Sequence, residues 1–414
     1  MKYNFIIDEK VSGEAWEDSL ELIDSFFDKE EIQIHDCNIT NKELSYIFVI
    51  GVRGYPSHCL NSVTKQKNSD WPTNKNGQIE IPKSIIDKYH SGFKISFFIF
   101  STDECDNPDT VEIFSDYMDY LNINQKHLYL STGNELLSKN KKEYNSEINV
   151  NTNKILLSKI SNVIDSSTDY TFTDSRDKLF QCYNNMLKSH RLGIYTFFNK
   201  ENLIDTVDLS LLEHQSFDWN NDYMFLDVLD NKFETTKEWH EIASKSIKNK
   251  ISLKSEFEIH NTNNKTGKQT YSTALHEVAM EQNLFKHTYI NIVTESKWNE
   301  KNTIHITEKS IVPFFFHQIP IIIAPPNHIQ TMKNIWGLDF FDDIINHDYD
   351  SIENHQLRFK AITEEILRLT EIENKIIDFF KNNKDRFEKN KKIIANIKNS
   401  NKDKIFWKSL THIE

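Results

Sequence analysis

Apolar runs that end in polar or glycine-containing loops recur along this sequence, and they constrain its fold more than any other feature. Three lie in the first third, at residues 46–50, 93–100 and 127–131, and each is followed by such a loop. Stretches with helical character, 14–27 and 109–121, lie before and between them. Because parallel strands are joined by crossover helices, this alternation predicts an α/β fold with a doubly wound parallel sheet.

The same alternation returns after a polar segment. Residues 138–153 are rich in Asn, Lys and Glu, and we interpret them as a loop or a boundary between domains. A second α/β unit is expected to begin near Lys178 and to contain strands at 288–294 and 319–324. Residues 261–273 are expected to form an exposed loop. A chain of 414 residues is long for one domain, which also favours two.

The last part of the chain has a helical pattern from residue 353 to about residue 398. Its apolar residues recur at helical spacing with charges between them: Leu357, Ile362, Ile366, Leu369, Ile372, Ile376 and Phe380. We interpret this stripe as the face of a helix that packs on the core. A coiled coil and a membrane-surface helix are the alternatives.

Composition and charge restrict the class of protein. Hydrophobic residues make up 38% of the chain, which is enough for real cores and argues against general disorder. The net charge of −13 makes nucleic acid and anionic membranes unfavoured partners, although nucleic acid stays possible. The four cysteines are too far apart in sequence for a metal knuckle or a redox pair, which is typical of a reducing compartment.

The apolar segments do not indicate a membrane protein. The N-terminal residues become acidic too early for a signal peptide. The longest apolar run, 311–326, is interrupted by Pro313, His317 and Pro320, and is too short to cross a bilayer. We therefore expect a soluble, cytoplasmic protein without a membrane span. The sequence does not indicate its oligomeric state.

The most informative candidate for chemistry is the segment 305–310, where a strand-like run meets a helix-like run. Thr307 is a good N-cap for a helix over 310–316, which Pro313 would shorten or kink. Glu308 can accept hydrogen bonds from a pair of hydroxyls, and Lys309 adds a positive charge at the positive end of the helix dipole. A ribose with a diphosphate needs these groups together. The alternative is an ordinary surface start of a helix.

The order of motifs over 288–368, about a fifth of the chain, resembles the C-terminal half of the α-1,3-fucosyltransferase and exostosin-like glycosyltransferases. The motifs are a strand ending in Thr-Glu or Glu-Thr, a Thr-Glu-Lys, a Pro-bounded strand, a segment Gly-(Phe/Leu)-(Thr/Ser/Asp)-Phe, an acidic Tyr-Asp and an Arg. In this chain they are Val293-Thr294-Glu295, Ile306-Thr307-Glu308-Lys309, Gln318-Ile319-Pro320, Gly337-Leu338-Asp339-Phe340, Tyr349-Asp350 and Arg358. The chain departs from the pattern at His317-Gln318 and at Ala324-Pro325-Pro326, where those families have glycines, and both changes affect the expected sugar contacts.

The resemblance implies two Rossmann-like domains facing a central cleft, the GT-B arrangement, with C-terminal helices. It implies an acceptor-side domain at 1–150, a nucleotide-sugar domain at 151–375 and a helical extension at 376–414. The reaction would move a hexosyl or pentosyl group from a nucleotide-sugar, such as a GDP- or UDP-sugar, to a hydroxyl of a glycan or another acceptor. Inversion is expected, with neither a metal nor a cofactor.

The resemblance also assigns roles on the donor side. Lys309 and Arg191 would stabilise the leaving diphosphate, Glu308 would hold the ribose, and Glu295 and Thr307 would complete the donor site. The segment 183–191, with Asn185 and Arg191, looks like the Asn/Arg-rich segment that opens the nucleotide-binding half. Its alternative is a helix with a solvated basic face formed by Lys188, His190 and Arg191.

A general base would come from the N-terminal domain, because the acceptor hydroxyl must lose its proton. Glu104 follows the run at 93–100, at the edge where open α/β sheets bind ligands, and we favour it. His58 follows another run and is the rival. Either can instead be a solvated loop residue.

Two further motifs are discounted, and two other functions stay open. We interpret Asp348-Tyr349-Asp350 as a structural or helix-capping segment rather than a metal site, and Gly51-Val52-Arg53-Gly54 as a packing turn rather than a phosphate loop. A glycosyltransferase that modifies DNA bases is one alternative, which the Lys-rich segment 381–392 leaves open. A catalytically silent nucleotide-binding or scaffold protein of the same fold is the other.

Overall fold

A computed structural model of the chain describes residues 2–7, 23, 27, 29–52, 81–101, 108–139, 147–152, 171–184, 188–211, 284–300 and 303–398. The protein is α/β, with two parallel sheets and several helices. The chain divides into two compact units. Unit 1 comprises Met1–Lys159, Asn302–His305 and Asn399–Glu414, and unit 2 comprises Ile160–Lys301 and Ile306–Lys398.

Unit 1 contains a six-stranded parallel sheet with the order β2-β1-β3-β4-β5-β6. The strands are β1 (Tyr3–Ile7), β2 (Ile32–His35), β3 (Ser45–Val52), β4 (Lys94–Ser101), β5 (Leu128–Thr132) and β6 (Asn149–Thr152). Its helices are α1 (Lys83–His90), α2 (Pro108–Tyr120) and α3 (Glu135–Lys139). The strands predicted at 46–50, 93–100 and 127–131 are confirmed. Of the two interpretations of 138–153, a loop or a boundary between domains, the loop is wrong for Asn149–Thr152, which form β6.

Both faces of this sheet are buried at its central strands, which explains why β3 and β4 are almost continuous apolar runs. On β3, Phe48 and Ile50 pack into one core cluster, while Ile47 and Val49 pack into a second one. Successive side chains of a strand point to opposite faces, so the two clusters lie on opposite faces of the sheet. The predicted helix at 14–27 and loop at 261–273 lie largely outside the described residues.

Unit 2 contains a four-stranded parallel sheet with the order β10-β9-β7-β8. The strands are β7 (Lys178–Asn184), β8 (Val207–Leu211), β9 (Thr288–Thr294) and β10 (Ile319–Ile323). Helix α4 (Ser189–Lys200) follows β7, and α5 (Glu308–Phe315) connects β9 to β10. Because β8 and β10 lie on opposite sides of the β7–β9 pair, the winding direction reverses between β7 and β9. Such a switch point is where open α/β sheets form a binding crevice.

The C-terminal segment with the helical pattern forms three helices: α7 (His355–Glu371), α8 (Glu373–Asn382) and α9 (Lys384–Lys398). They follow α6 (His328–Trp336). Ile362, Ile366, Leu369, Ile376 and Phe380 are buried, so the core-facing interpretation is confirmed for them. It is wrong for Leu357, which is 55% exposed in the first turn of α7. Of the helices that the structure describes, none has the length and apolar character needed to span a bilayer.

A close approach fixes the turn after β5 in unit 1. A Cβ on Gly133 would lie 2.1 Å from Cε1 of His305, which is closer than any real contact. His305 pairs with Asn134 in an antiparallel bridge, and the Ile304 N–H donates to the Asn134 side chain at 3.0 Å. Only a residue without a side chain fits at position 133.

Gly133→Ala is therefore expected to lower the free energy of unfolding by about 1–3 kcal/mol, because the buried imidazole must move. Urea unfolding measures the loss. In the His305→Ala background the same change should cost little, so the double variant Gly133→Ala/His305→Ala should be about as stable as His305→Ala alone, since the clash is then gone. A Gly133→Ala protein as stable as wild type would contradict the close approach.

Candidate functional site

The carboxyl ends of β7 and β9 meet at the switch point in unit 2. Asn184 ends β7 and Thr294 ends β9, and both are buried. The Thr294 hydroxyl donates a hydrogen bond to the Asn184 side-chain oxygen. The two strand ends are therefore held together at the edge of the sheet where α/β proteins bind ligands.

Basic side chains at the start of α4 bind the backbone that follows β9. Lys188 Nζ donates to the carbonyl of Ser296 at 2.7 Å, His190 Nε2 donates to that of Glu295 at 2.8 Å, and Arg191 Nη2 donates to that of Thr294 at 3.3 Å. His190 and Arg191 are buried. The alternative of a solvated basic face is therefore wrong for this helix.

His190 is neutral in this setting. Burial lowers its pKa well below the usual value, and the neighbouring charges of Arg191 and Lys188 lower it further. A neutral imidazole whose Nε2 donates to a carbonyl has its proton on that nitrogen. His190 therefore acts as a hydrogen-bond donor to the backbone, while Lys188 and Arg191 supply the positive charge at this edge.

Glu295, the residue after β9, is buried with its carboxylate bonded to protein groups on both oxygens. Oε1 accepts from the Thr307 N–H at 3.2 Å and from the Ser310 hydroxyl, and Oε2 accepts from the Thr307 hydroxyl at 2.8 Å and the Ser296 N–H at 3.2 Å. A carboxylate has about four acceptor positions. Glu295 therefore uses its acceptor positions to hold the start of α5. Those positions would otherwise be open to the hydroxyls of a ribose.

Helix α5 begins as the sequence indicates, with Thr307 as its N-cap. The Thr307 hydroxyl accepts from the Lys309 N–H at 3.2 Å. The helix starts at Glu308 and continues through Pro313 to Phe315, so Pro313 does not divide it. Pro313 has no N–H to offer, so the helix lacks one internal hydrogen bond at this position.

Glu308 and Lys309 place opposite charges at the first turn of α5. Lys309 Nζ lies 2.8 Å from Glu308 Oε1, and the side chains of Lys309 and Glu308 are 20% and 28% exposed. Lys309 Nζ also lies 3.4 Å from the Thr307 hydroxyl. The pair is thus partly open to solvent beside the buried carboxylate of Glu295, where a ligand can reach it.

The structure brings Arg191, Glu295, Thr307, Glu308 and Lys309 to the same edge of the unit 2 sheet. The other three candidates, Asn185, Glu104 and His58, lie outside the described residues. Their roles stay predictions.

Sequence reasoning missed the residues that support this edge from other elements. Ser310 on α5 and His328 at the start of α6 both contact the Glu295 cluster, and both are fully buried. A serine one turn after a capping threonine does not by itself indicate a contact with a buried carboxylate. Nothing in the sequence indicates that a histidine 18 residues later bonds to it.

Asp350 and Arg358 have structural roles. The Asp350 carboxylate accepts from the N–H groups of Ile329 and Gln330, both at 3.0 Å, so it caps α6. The helix-capping interpretation is thus confirmed for Asp350. Arg358 is buried, donates to the carbonyls of Trp298, Ile352 and Glu353, and has its pKa lowered to about 10 by burial.

A cavity of about 550 Å³ lies between the first turns of α6, the segment 342–351 and Arg368 of α7. Lys333 and Asp342 form an ion pair across part of its wall, with 2.6 Å between Nζ and Oδ1. Nothing in the sequence predicted it. Throughout the part of the chain that the structure describes, no three His, Cys, Asp or Glu side chains are grouped so as to hold a metal ion.

Comparisons with known proteins do not assign a family. No family model matches this chain, and no curated protein is significantly similar to it in sequence. The resemblance to the fucosyltransferase and exostosin-like enzymes therefore rests on its short motifs and their order in the sequence alone.

Proposed function

We propose that this protein is a glycosyltransferase whose unit 2 binds a nucleotide-sugar. The two α/β units would have the GT-B arrangement, with the acceptor bound by unit 1. The observation that supports this most is the partly exposed Glu308–Lys309 pair at the start of α5, beside the switch point of a parallel sheet. An acid for hydroxyls next to a cation for phosphate is what a nucleoside diphosphate requires.

On the donor side, Lys309 contacts the diphosphate and Glu308 accepts from the ribose hydroxyls. The ion pair between them opens when the ligand binds, so each partner exchanges one contact for another. Arg191, held beside Thr294, adds positive potential at the same edge. Cations aimed at a leaving diphosphate stabilise the charge that develops in the transition state, and such electrostatic stabilisation often contributes more to catalysis than any other effect.

In the reaction, the acceptor oxygen forms a bond to the anomeric carbon as the bond from that carbon to the diphosphate oxygen breaks. The proton of the acceptor hydroxyl goes to a carboxylate or imidazole of unit 1, for which Glu104 and His58 are the candidates. The electron pair of the broken bond leaves with the nucleoside diphosphate.

Lys309→Ala is expected to abolish stabilisation by the donor nucleotide. UDP, GDP and their sugars are screened by thermal shift. A nucleotide present at about 100 times its Kd raises the free energy of unfolding by about 2.7 kcal/mol, which raises the Tm by several degrees. The matched control is Lys333→Ala, whose lysine pairs with Asp342 elsewhere in unit 2, and it should respond as wild type does. The donor site is refuted if no nucleotide raises the Tm of wild type, and it lies elsewhere if Lys309→Ala responds equally.

A catalytically silent nucleotide-binding protein is the second candidate. The observation that favours it is that Lys188 and Arg191 bind the backbone carbonyls of Ser296 and Thr294, so their donors are already engaged within the protein. Release of nucleoside diphosphate from the stabilising nucleotide-sugar, measured with a panel of hydroxyl acceptors, separates the two. Binding without release in the presence of any acceptor favours the silent protein.

A further inference from the structure

The Ser310 hydroxyl lies between a buried carboxylate and a buried imidazole. Its Oγ donates to Glu295 Oε1 at 2.5 Å and lies 3.1 Å from His328 Nε2. Ser310 and His328 are fully buried and Glu295 nearly so. Three polar side chains from three separate parts of unit 2, the end of β9, α5 and the start of α6, therefore meet away from solvent.

The directions of these hydrogen bonds follow from the number of protons. A hydroxyl has one proton, and an ionised carboxylate can only accept, so Ser310 gives its proton to Glu295. His328 Nε2 must then donate to the Ser310 oxygen, which requires a proton on Nε2. The resulting chain runs from His328 through Ser310 to Glu295, and Thr307 donates to the same carboxylate from the other side at 2.8 Å.

This chain holds the Glu308–Lys309 pair from both sides. Thr307 precedes the pair and Ser310 follows it, and both are tied to Glu295. The Thr307 hydroxyl in turn accepts from Lys309, from its N–H at 3.2 Å and from Nζ at 3.4 Å. The direction of the first turn of α5, and with it the place of the Lys309 ammonium group, therefore depends on the Glu295 carboxylate.

We propose that Ser310 and His328 are positioning residues for the nucleotide-diphosphate site: through Glu295 they fix the turn that presents Glu308 and Lys309 to the ligand. The proposal rests on the proposed function and adds two residues to it. Neither touches the ligand. Without the Ser310 hydroxyl, Glu295 loses one of its donors and the His328 N–H loses its acceptor, so the carboxylate and Thr307 shift together and displace Lys309.

The test measures the Kd of UDP and GDP by calorimetry for a set of variants. Ser310→Ala and His328→Leu should weaken binding roughly 10- to 100-fold, because displacements of about 1 Å at a site have effects of this size. His328→Gln, whose amide N–H can replace Nε2–H, should restore binding to within a few-fold of wild type. Thr196→Val, which removes another fully buried hydroxyl of unit 2, is the matched control and should bind as wild type does.

A structural role alone gives a different pattern. It would lower the urea-unfolding stability of Ser310→Ala and His328→Leu while their Kd stays at the wild-type value, and this result would overturn the proposal. If wild type binds neither nucleotide, the donor site fails and the positioning role fails with it. If wild type binds and Lys309→Ala does not, but Ser310→Ala binds normally, only the positioning role fails.

A second measurement is independent of any nucleotide. The ¹⁵N chemical shifts of the His328 ring should show a protonated Nε2 in wild type and a change at Nε2 in Ser310→Ala. An unprotonated Nε2 in wild type would reverse the hydrogen-bond directions and contradict the proposed series of hydrogen bonds from His328 through Ser310 to Glu295.

Discussion

Replacing Arg176 by methionine is expected to lower the free energy of unfolding by about 3–5 kcal/mol, a large part of what a domain has. Arg176 is buried, and its guanidinium donates to four backbone carbonyls: those of Phe285, Thr288, Phe316 and His317, at 2.6–3.1 Å. Methionine keeps the apolar stem but removes the donor that these buried carbonyls share, although that of Thr288 keeps a second side-chain donor, Gln318 Nε2 at 3.3 Å. The loss should appear in urea unfolding as a lower midpoint with an unchanged slope.

The matched control is Arg386→Met. Arg386 is partly exposed and forms ion pairs with Asp339 and Asp343. Solvent reaches the side chains of all three residues. Because exposed ion pairs contribute about 0–1 kcal/mol, this variant should be much closer to wild type. Equal effects at the two positions would contradict a large stabilising contribution from the four buried hydrogen bonds of Arg176.

Acid is expected to destabilise the protein well before its carboxylates are protonated. Burial is the main cause that lowers the pKa of His190, His317 and His347. The pKa of His317 is lowered to about 3, and the positive charges of Lys391, Arg176 and Lys384 contribute to this shift. These histidines stay neutral when folded but gain protons when unfolded below about pH 6.5. The unfolded state therefore binds more protons, and stability falls as pH falls from about 6.5 toward the folded pKa.

For His317 alone the loss is about 1.4 kcal/mol for each pH unit below about 6.5. Urea unfolding at pH 7.0, 6.0 and 5.0 measures it. His317→Asn should reduce the slope, and Asn tolerates the left-handed backbone of this position, where φ is 55°. A wild-type stability that is flat from pH 7 to 5 would contradict the burial of neutral histidines.

Most of the fold could be predicted because its central strands are buried on both faces. The run at 288–294 is buried throughout, and it forms β9 with the predicted bounds. Strand β6 could not be recognised, because its four residues, Asn149–Thr152, contain one apolar side chain and lie at the edge of the sheet. Leu357 has the right spacing but lies in the first turn of α7, where its side chain is 55% exposed among the described residues.

Local features of the site could also be predicted, but not the contacts that support it. Thr307 caps α5 as its residue type and position indicate, since its partner lies two residues away. The acceptors of Arg176 lie 109 to 141 residues further along the chain, and the partner of Ser310 lies on another helix. Such partners depend on how the strands are ordered, and the sequence pattern does not contain that order.

The most direct test of the donor site is a titration of ¹⁵N-labelled protein with UDP and with GDP, followed by the backbone amide shifts of unit 2. We predict that either UDP or GDP shifts the amide signals of Ser296, just after β9, and of residues 307–310, at the start of α5. Shifts confined to the cavity segment 342–351, or no shifts at the start of α5 with either nucleotide, would contradict it.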